Sequence, residues 1–282
     1  MKRWLILLCL SAFLFQACRE SHEERILFSS GRNGNTDIFM MNGEGEEIKA
    51  ITHSQAEEWA PSWINRDEIS FLRQNEAGIH RIKLNLNNQT ETSLPHPKGC
   101  ILDDKNALYN PHTGQELYMC HGNIFVTNGD QPINLTDHIE GECNYPIWTR
   151  DGKGILLTLS QQGNQDIYLM NLNSKRMENL THHPANDQRA DLSPDGKYLV
   201  FCSDRFNQNA EIVLQHLESG KVMNLSQHEG FDLIARWSLD GERIYYGSRQ
   251  DNNWDIYSYD MKTRERTRLT KHQEFDGDPR IF

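Results

Sequence analysis

The sequence predicts an all-β fold, a six-bladed β-propeller of four-stranded antiparallel blades, and three observations predict it. The first is an aliphatic residue that closes a strand, usually followed by Thr or Ser, with His within two or three positions. It reads Ile51-Thr52-His53, Leu94-Pro95-His96, Leu135-Thr136-Asp137-His138, Leu180-Thr181-His182-His183, Leu225-Ser226-Gln227-His228 and Leu269-Thr270-Lys271-His272. The second is an isoleucine opening an alternating strand, often after an acid, at Ile38, Ile79, Ile124, Ile167, Ile212 and Ile256. The leading residues of the first marker lie 43, 41, 45, 45 and 44 apart, and the isoleucines 41, 45, 43, 45 and 44. Two independent markers therefore share one period, and ~40–45 residues holding four strands is the size of a propeller blade. The third is a recurring Asp-Gly turn between apolar runs, at Asp151-Gly152, Asp195-Gly196 and Asp240-Gly241. Glycine accepts the positive φ that such a hairpin turn demands.

Each unit resolves into four strands. The fifth runs Arg189-Ala190-Asp191-Leu192, the turn Ser193-Pro194-Asp195-Gly196, then Tyr198 to Cys202, Glu211 to Leu214, and Val222 to Leu225 after Ser219-Gly220. The dense turn residues and the period-two alternation exclude helix-pair repeats of similar length. No blade can bury both faces alone, so blades must stack face to face around an axis.

The chain ends predict how the ring closes. Ile26-Leu27-Phe28-Ser29-Ser30 matches a second strand such as Leu199 to Ser203, whereas Asp278-Pro279-Arg280-Ile281-Phe282 matches a first strand such as Tyr145 to Trp148. The C-terminal strand is therefore expected to complete the blade begun at the N-terminus, and the propeller to occupy residues 25–282.

Residues ahead of the propeller are of another kind. Lys2 and Arg3 precede twelve apolar or small residues, Trp4 to Phe15, and then Gln16-Ala17-Cys18. A basic start, a short apolar run and a small residue before the cut describe a secretory signal at 1–17. Twelve helical residues reach only ~18 Å, short of a ~30 Å hydrocarbon core. The cysteine directly after Ala17 resembles the lipidated cysteine of bacterial lipoproteins, which implies a lipid anchor on Cys18 and a tether over 18–24. Arg19 is not the aspartate that would resemble an inner-membrane retention signal, so the expected location is the outer membrane, facing the periplasm.

Hydrophobic residues make up 37% and charged residues 24%, a soluble balance with a polar tilt. The net charge is −11, and loss of Lys2 and Arg3 with the signal deepens it to −13. Phosphate binding needs a basic face, so nucleic acid is an unsuitable partner. Cations or a basic protein surface suit the charge better.

The segments Pro61-Ser62-Trp63, Pro146-Ile147-Trp148-Thr149-Arg150-Asp151-Gly152, Leu192-Ser193-Pro194-Asp195-Gly196 and Trp237-Ser238-Leu239-Asp240-Gly241 resemble the repeat of the TolB-like propeller family. The resemblance spans most of 25–282 and is strongest in units four to six. In unit two Arg66-Asp67-Glu68 lacks the turn glycine, and in unit three Asn110-Pro111-His112-Thr113-Gly114 is one residue longer. TolB also carries an α/β domain ahead of its propeller, which has no counterpart in this sequence. The resemblance implies a non-enzymatic module, monomeric and tethered to the cell envelope, that docks an envelope protein or small ligand.

No Gly-x-Ser-x-Gly elbow, His-Glu-x-x-His, Cys-x-x-Cys or phosphate-cradling glycine loop occurs, so no catalytic residue is assigned and no cofactor is expected. The repeated histidines, His53, His96, His138, His183, His228 and His272, fall in loops on one face. They read either as structural caps of the repeat or as a metal-binding ring similar to that of the oligogalacturonate-lyase propellers, a carbohydrate-active alternative. Recurrence in every blade favours the cap. Just beyond them lie Glu58, Glu142, Asp187, Asp232 and Asp276, which are expected to ring the channel mouth, either as a solvated rim or as a site for a cation or basic partner. Asp37, Asp166, Glu211 and Asp255, before the third strands, read as loop braces. Cys120 and Cys202 occupy matching positions in distant blades. Cys100 and Cys143, in adjacent units, could be bridged in an oxidising envelope or remain free thiols.

Overall fold

The computed structural model describes residues 24–282 except 103–104, 129–130 and 207–208. The signal at 1–17, Cys18 and the rest of the tether up to residue 23 lie outside the described residues. Within them the chain forms 24 strands and no helix, arranged as six four-stranded antiparallel sheets. This is the six-bladed propeller that the repeat predicts.

Blade one consists of Asp276–Ile281, Arg25–Ser30, Asp37–Asn42 and Lys49–Ala50, in that order. Its innermost strand is the C-terminal one, so the ends of the chain close the ring as expected. Blades two to six follow in sequence, with innermost strands Glu57–Asn65, Leu108–Tyr109, Glu142–Trp148, Asp187–Leu192 and Phe231–Trp237. At the closure Ile26 lies opposite Ile281 and Ser30 opposite Asp276. Arg25 and Phe282 exchange both backbone hydrogen bonds, at 3.1 and 3.0 Å.

The core is six layers rather than one. Each apolar cluster joins a neighbouring pair of blades, and together the six clusters cover every interface, blade six to blade one included. Period-two alternation explains how one strand serves two layers. In Tyr198–Ser203, Leu199 and Phe201 face blade four while Val200 and Cys202 face blade six. Burying one such side chain contributes about 1.5–3 kcal/mol, so each blade is held mainly by its two neighbours.

The second strands begin after tight turns. In blades four to six the glycine of Asp-Gly sits at φ +66, +71 and +76° (Gly152, Gly196 and Gly241). Blade two turns through Arg66-Asp67, where neither residue has positive φ, so it needs no glycine. Behind the loops that precede the third strands, a repeated clasp closes the blade. Thr52, Thr136, Thr181, Ser226 and Thr270 each accept the backbone N–H of the strand-opening isoleucine. The threonines in turn donate to Asp37, Asn123, Asp166 and Asp255, so the three acids among them act as loop braces.

The cysteine pairing differs from the one considered above. Cys100 is bridged to Cys120 (Cα–Cα 5.9 Å), and Cys143 and Cys202 are buried free thiols. The reason is local. Unit three has only a two-residue innermost strand, and the segment ahead of it packs on the end of that blade's own second strand, where Cys120 lies. Cys143 is one blade further on, packed among Leu157, Leu159 and Leu135.

The two mouths of the central channel

The innermost strands share an irregularity that shapes the channel. Ala60, Tyr145, Arg189, Ile234 and Asp278 all have φ between 49 and 61°, and each sits at a break in register with the second strand. A bulge with a non-glycine residue in this region costs on the order of 1 kcal/mol and persists only where packing imposes it. Its consequence is geometric, because a one-residue insertion reverses which side chains face inward.

Two residues ahead of each bulge stand Glu58, Cys143, Asp187, Asp232 and Asp276. All are buried, and the four acids have no exposed surface at all. Each acid turns into its own blade. Glu58 pairs with Arg73, which also holds Glu91 at 2.7 Å. Asp187 accepts from Ser203 Oγ at 2.5 Å and pairs with Arg205. Asp276 pairs with Arg32 at 2.7 Å, and Asp232 with His228 Nε2 at 2.9 Å. Burial pushes the Asp187 carboxyl above the usual carboxylate range, against the opposing pull of Arg205 and Ser203. Of the five sequence-predicted rim acids, Glu142 alone is exposed. It occupies the place of Glu57, and Cys143 takes the acid's place, since alternation turns successive residues to opposite faces.

The histidines lie on this same face as loop caps. His183, His228 and His272 each accept, through Nδ1, the N–H two residues on, at 3.1, 2.8 and 3.1 Å. His96 Nδ1 accepts from Leu102 N at 3.2 Å, and His138 lies 3.2 Å from Asp137. His53 is exposed. Among the described residues no three His, Cys, Asp or Glu side chains gather closely enough to hold a metal ion.

What the His-side rim does present is apolar. Ile101, Phe206, Phe231 and Phe275 are 72, 48, 45 and 39% exposed, and they come from four separate loops or strand starts on this face. Phe231 and Phe275 stand directly ahead of Asp232 and Asp276, the outward positions of the same alternation. Strand alternation next to a buried acid is the sequence signal that marks these two phenylalanines as outward-facing. Phe275 also folds over Gly277, whose missing Cβ would lie 2.6 Å from the ring. This mouth opens into a chamber of about 280 Å³ lined by Trp59, Tyr145, Arg189, Phe275, Asp278 and Arg280 among others. The Arg189 guanidinium lies 3.8 Å above the Tyr145 ring.

The opposite mouth is built from the ends of the innermost strands. Trp63 Nε1 donates to Arg280 O at 3.0 Å and Trp148 Nε1 to Leu108 O at 3.4 Å, each tying its blade to the one before. Here a larger chamber of about 700 Å³ is walled by Trp63, Trp148, Trp237 and Phe282 and by five arginines, Arg25, Arg66, Arg150, Arg236 and Arg280. Arg236 and Arg280 line both chambers, so the two form one channel. An arginine-lined channel is a property that strand periodicity alone did not disclose. Glu24 marks where the chain enters this face, with its carboxylate accepting from Leu239 N at 2.8 Å and Tyr245 Oη at 2.5 Å.

Comparison with known proteins fits this architecture. The model of the TolB beta propeller domain matches residues 121–209. The Tol-Pal system protein TolB of Ruthia magnifica subsp. Calyptogena magnifica is 46% identical over 44 residues, 16% of this chain and 10% of that protein. TolB from Acinetobacter baumannii superposes with a TM-score of 0.74 at 19% identity, covering 91% of this chain and 66% of that one. Oligogalacturonate lyase in complex with manganese superposes with a TM-score of 0.54 at 14% identity, covering 79% of this chain and 70% of that one. The chain spans less than two thirds of the length of either TolB protein. The family model and the local identity show that part of this chain is similar to the TolB propeller repeat, and the solved structures show that it shares the propeller fold.

Proposed function

We propose that the protein is a non-enzymatic docking module tethered to the cell envelope, which binds a protein partner at the His-side mouth of its propeller. The observation that carries this reading is the set Ile101, Phe206, Phe231 and Phe275, large apolar side chains exposed on one face of a rigid ring. Exposed apolar groups among polar ones mark protein-binding surfaces, and aromatic residues serve best as anchors. The name of the curated relative places that protein in a Tol-Pal system, which agrees with an envelope partner.

The tether supports the same orientation. Glu24 lies six positions after Cys18, a distance of at most about 22 Å along an extended chain. A lipid on Cys18 would therefore hold the tryptophan-side mouth toward the outer membrane and leave the His side facing the periplasm. The acids proposed from the sequence act from beneath: Glu58, Asp187, Asp232 and Asp276 hold the loops that carry the rim, and Glu142 adds a charge on the rim for a basic group of the partner.

The test is the double substitution Phe231→Ser, Phe275→Ser in the native lipoprotein, followed by crosslinking and mass spectrometry against the unmodified protein. A partner crosslinked to the native chain should disappear while the melting temperature holds. Leu239→Ser, an exposed apolar residue on the opposite face, should leave the partner in place. Loss with Leu239→Ser and retention with the phenylalanine pair would move the docking surface to the other mouth.

A further inference from the structure

The channel has the opposite polarity to the chain that builds it. The protein carries a net charge of −11, yet its larger chamber holds five arginines against one carboxylate, Asp191. Some of these cations are occupied. Arg25 lies over the rings of Trp63 and Phe282, at 4.8 and 5.3 Å. Arg150 reaches past blade five and donates from Nη2 to the carbonyls of Trp237 and Ser238, at 2.9 Å each.

Others are not. Arg236 donates from Nη1 to Ala235 O at 2.7 Å, while its buried Nε has no hydrogen-bond partner among the described residues. Arg280 meets Asp278 at 3.0 Å through Nη2 and donates from Nε to Pro61 O at 3.3 Å, while its buried Nη1 has no partner among the described residues. Trp237 is only 1% exposed, and its Nε1, unlike those of Trp63 and Trp148, also has none. Asp191 offsets the group only in part: its oxygens accept from Leu192 N and Trp237 N, both at 2.9 Å, and its charge and that of Asp278 act on Arg236 against burial and Arg280. Desolvation first, and the nearby Arg280 charge second, lower the Arg236 pKa to about 10. Buried donors and like charges without partners are costly, and a bound anion would satisfy both.

We propose that this chamber binds a small organic carboxylate with a flat apolar body. The carboxylate pairs with the guanidinium groups of Arg236 and Arg280, and the apolar body lies against Trp63, Trp148 and Phe282. The volume of about 700 Å³ falls within the ~300–1,000 Å³ usual for small-ligand sites. Such a site is independent of docking at the other mouth and would open toward the tethered side of the protein.

The experiment uses the full mature chain with 2-naphthoate as the probe and 2-naphthalenemethanol as its neutral isostere, read by calorimetry and tryptophan fluorescence. Naphthoate should bind at one saturable site, roughly ten-fold or more tighter than the alcohol, as charge-assisted hydrogen bonds imply. Raising the salt should weaken it. Arg236→Gln should cut the affinity by about ten-fold or more while keeping or raising the melting temperature, because it removes a desolvated charge beside Arg280. Equal affinity for acid and alcohol, or an unchanged affinity in a folded Arg236→Gln variant, would overturn the proposal. Should that variant fail to fold, the acid–alcohol comparison on the native chain decides alone.

Discussion

Asp276, fully buried at the start of the last strand, forms a 2.7 Å ion pair with Arg32, 244 residues earlier in the chain. The pair locks the C-terminal strand onto the blade that the N-terminus begins. At the other end of the same strand, Trp63 of blade two donates to Arg280 O and packs on Phe282, with ring centroids 5.0 Å apart. Closure is thus fastened at both mouths.

Removing the fastening should open the ring. Asp276→Ala leaves Arg32 without its partner and should cost about 3 kcal/mol. Deleting residues 274–282 strips blade one of its innermost strand and exposes an unpaired edge, and should leave no cooperative melting transition. Calorimetry checks both, and an unshifted transition in the truncated chain would contradict closure by the last strand.

The acids beneath the His-side rim should behave as braces. In Asp187→Asn the charge facing Arg205 is lost, with an expected destabilisation of about 3 kcal/mol. Adding Asp232→Asn should lower the melting temperature further, since the sites lie in different blades and their effects should add. A melting temperature at or above that of the native chain would show that these carboxylates merely repel one another.

Thiol chemistry tests the disulfide. Unfolded without reductant, the chain from Glu24 onward should titrate two thiols, Cys143 and Cys202. Breaking the Cys100–Cys120 bridge, which closes a 20-residue separation, should cost about 3 kcal/mol through loop entropy. Four reactive thiols would rule the bridge out.

Acid titration has a readable local signature. Ser193 Oγ–H donates to Asp195 at 2.7 Å, and with the Lys197 N–H it lowers that carboxyl to about 2. Because the folded value lies below the unfolded one, the stability this turn contributes is present above about pH 4 and is lost as pH falls toward 2. Ser193→Ala should raise the Asp195 pKa toward the ordinary ~3.9, as followed by NMR titration. No movement would remove the hydroxyl as the cause.

Tethering is tested at the anchor. Cys18→Ser should release the protein from the membrane into the soluble fraction, and unchanged membrane association would defeat lipidation at this residue.

The sequence by itself determined the ring: the blade count, the period, the Asp-Gly turns and the strand that closes blade one. All of these depend on local pattern, which a repeat writes six times over, so departures in single units cannot hide it. Only the tertiary structure decided what the channel presents. Glu58, Asp187, Asp232 and Asp276 read as a converging rim, but a bulged strand turns them into their own blades, where arginines or a histidine receive them. Glu142 lies one residue off that position, and alternation puts it in solvent while Cys143 goes inside. Cys100 chose Cys120 because unit three is shortened, a departure whose spatial effect no spacing rule contains. Arg236 and Arg280 share one repeat position in only two blades, and Arg150 stands in a single blade, so the period does not reveal them. Their convergence arises only when distant blades meet around one axis, where side-chain identity and desolvation, not repetition, set the chemistry.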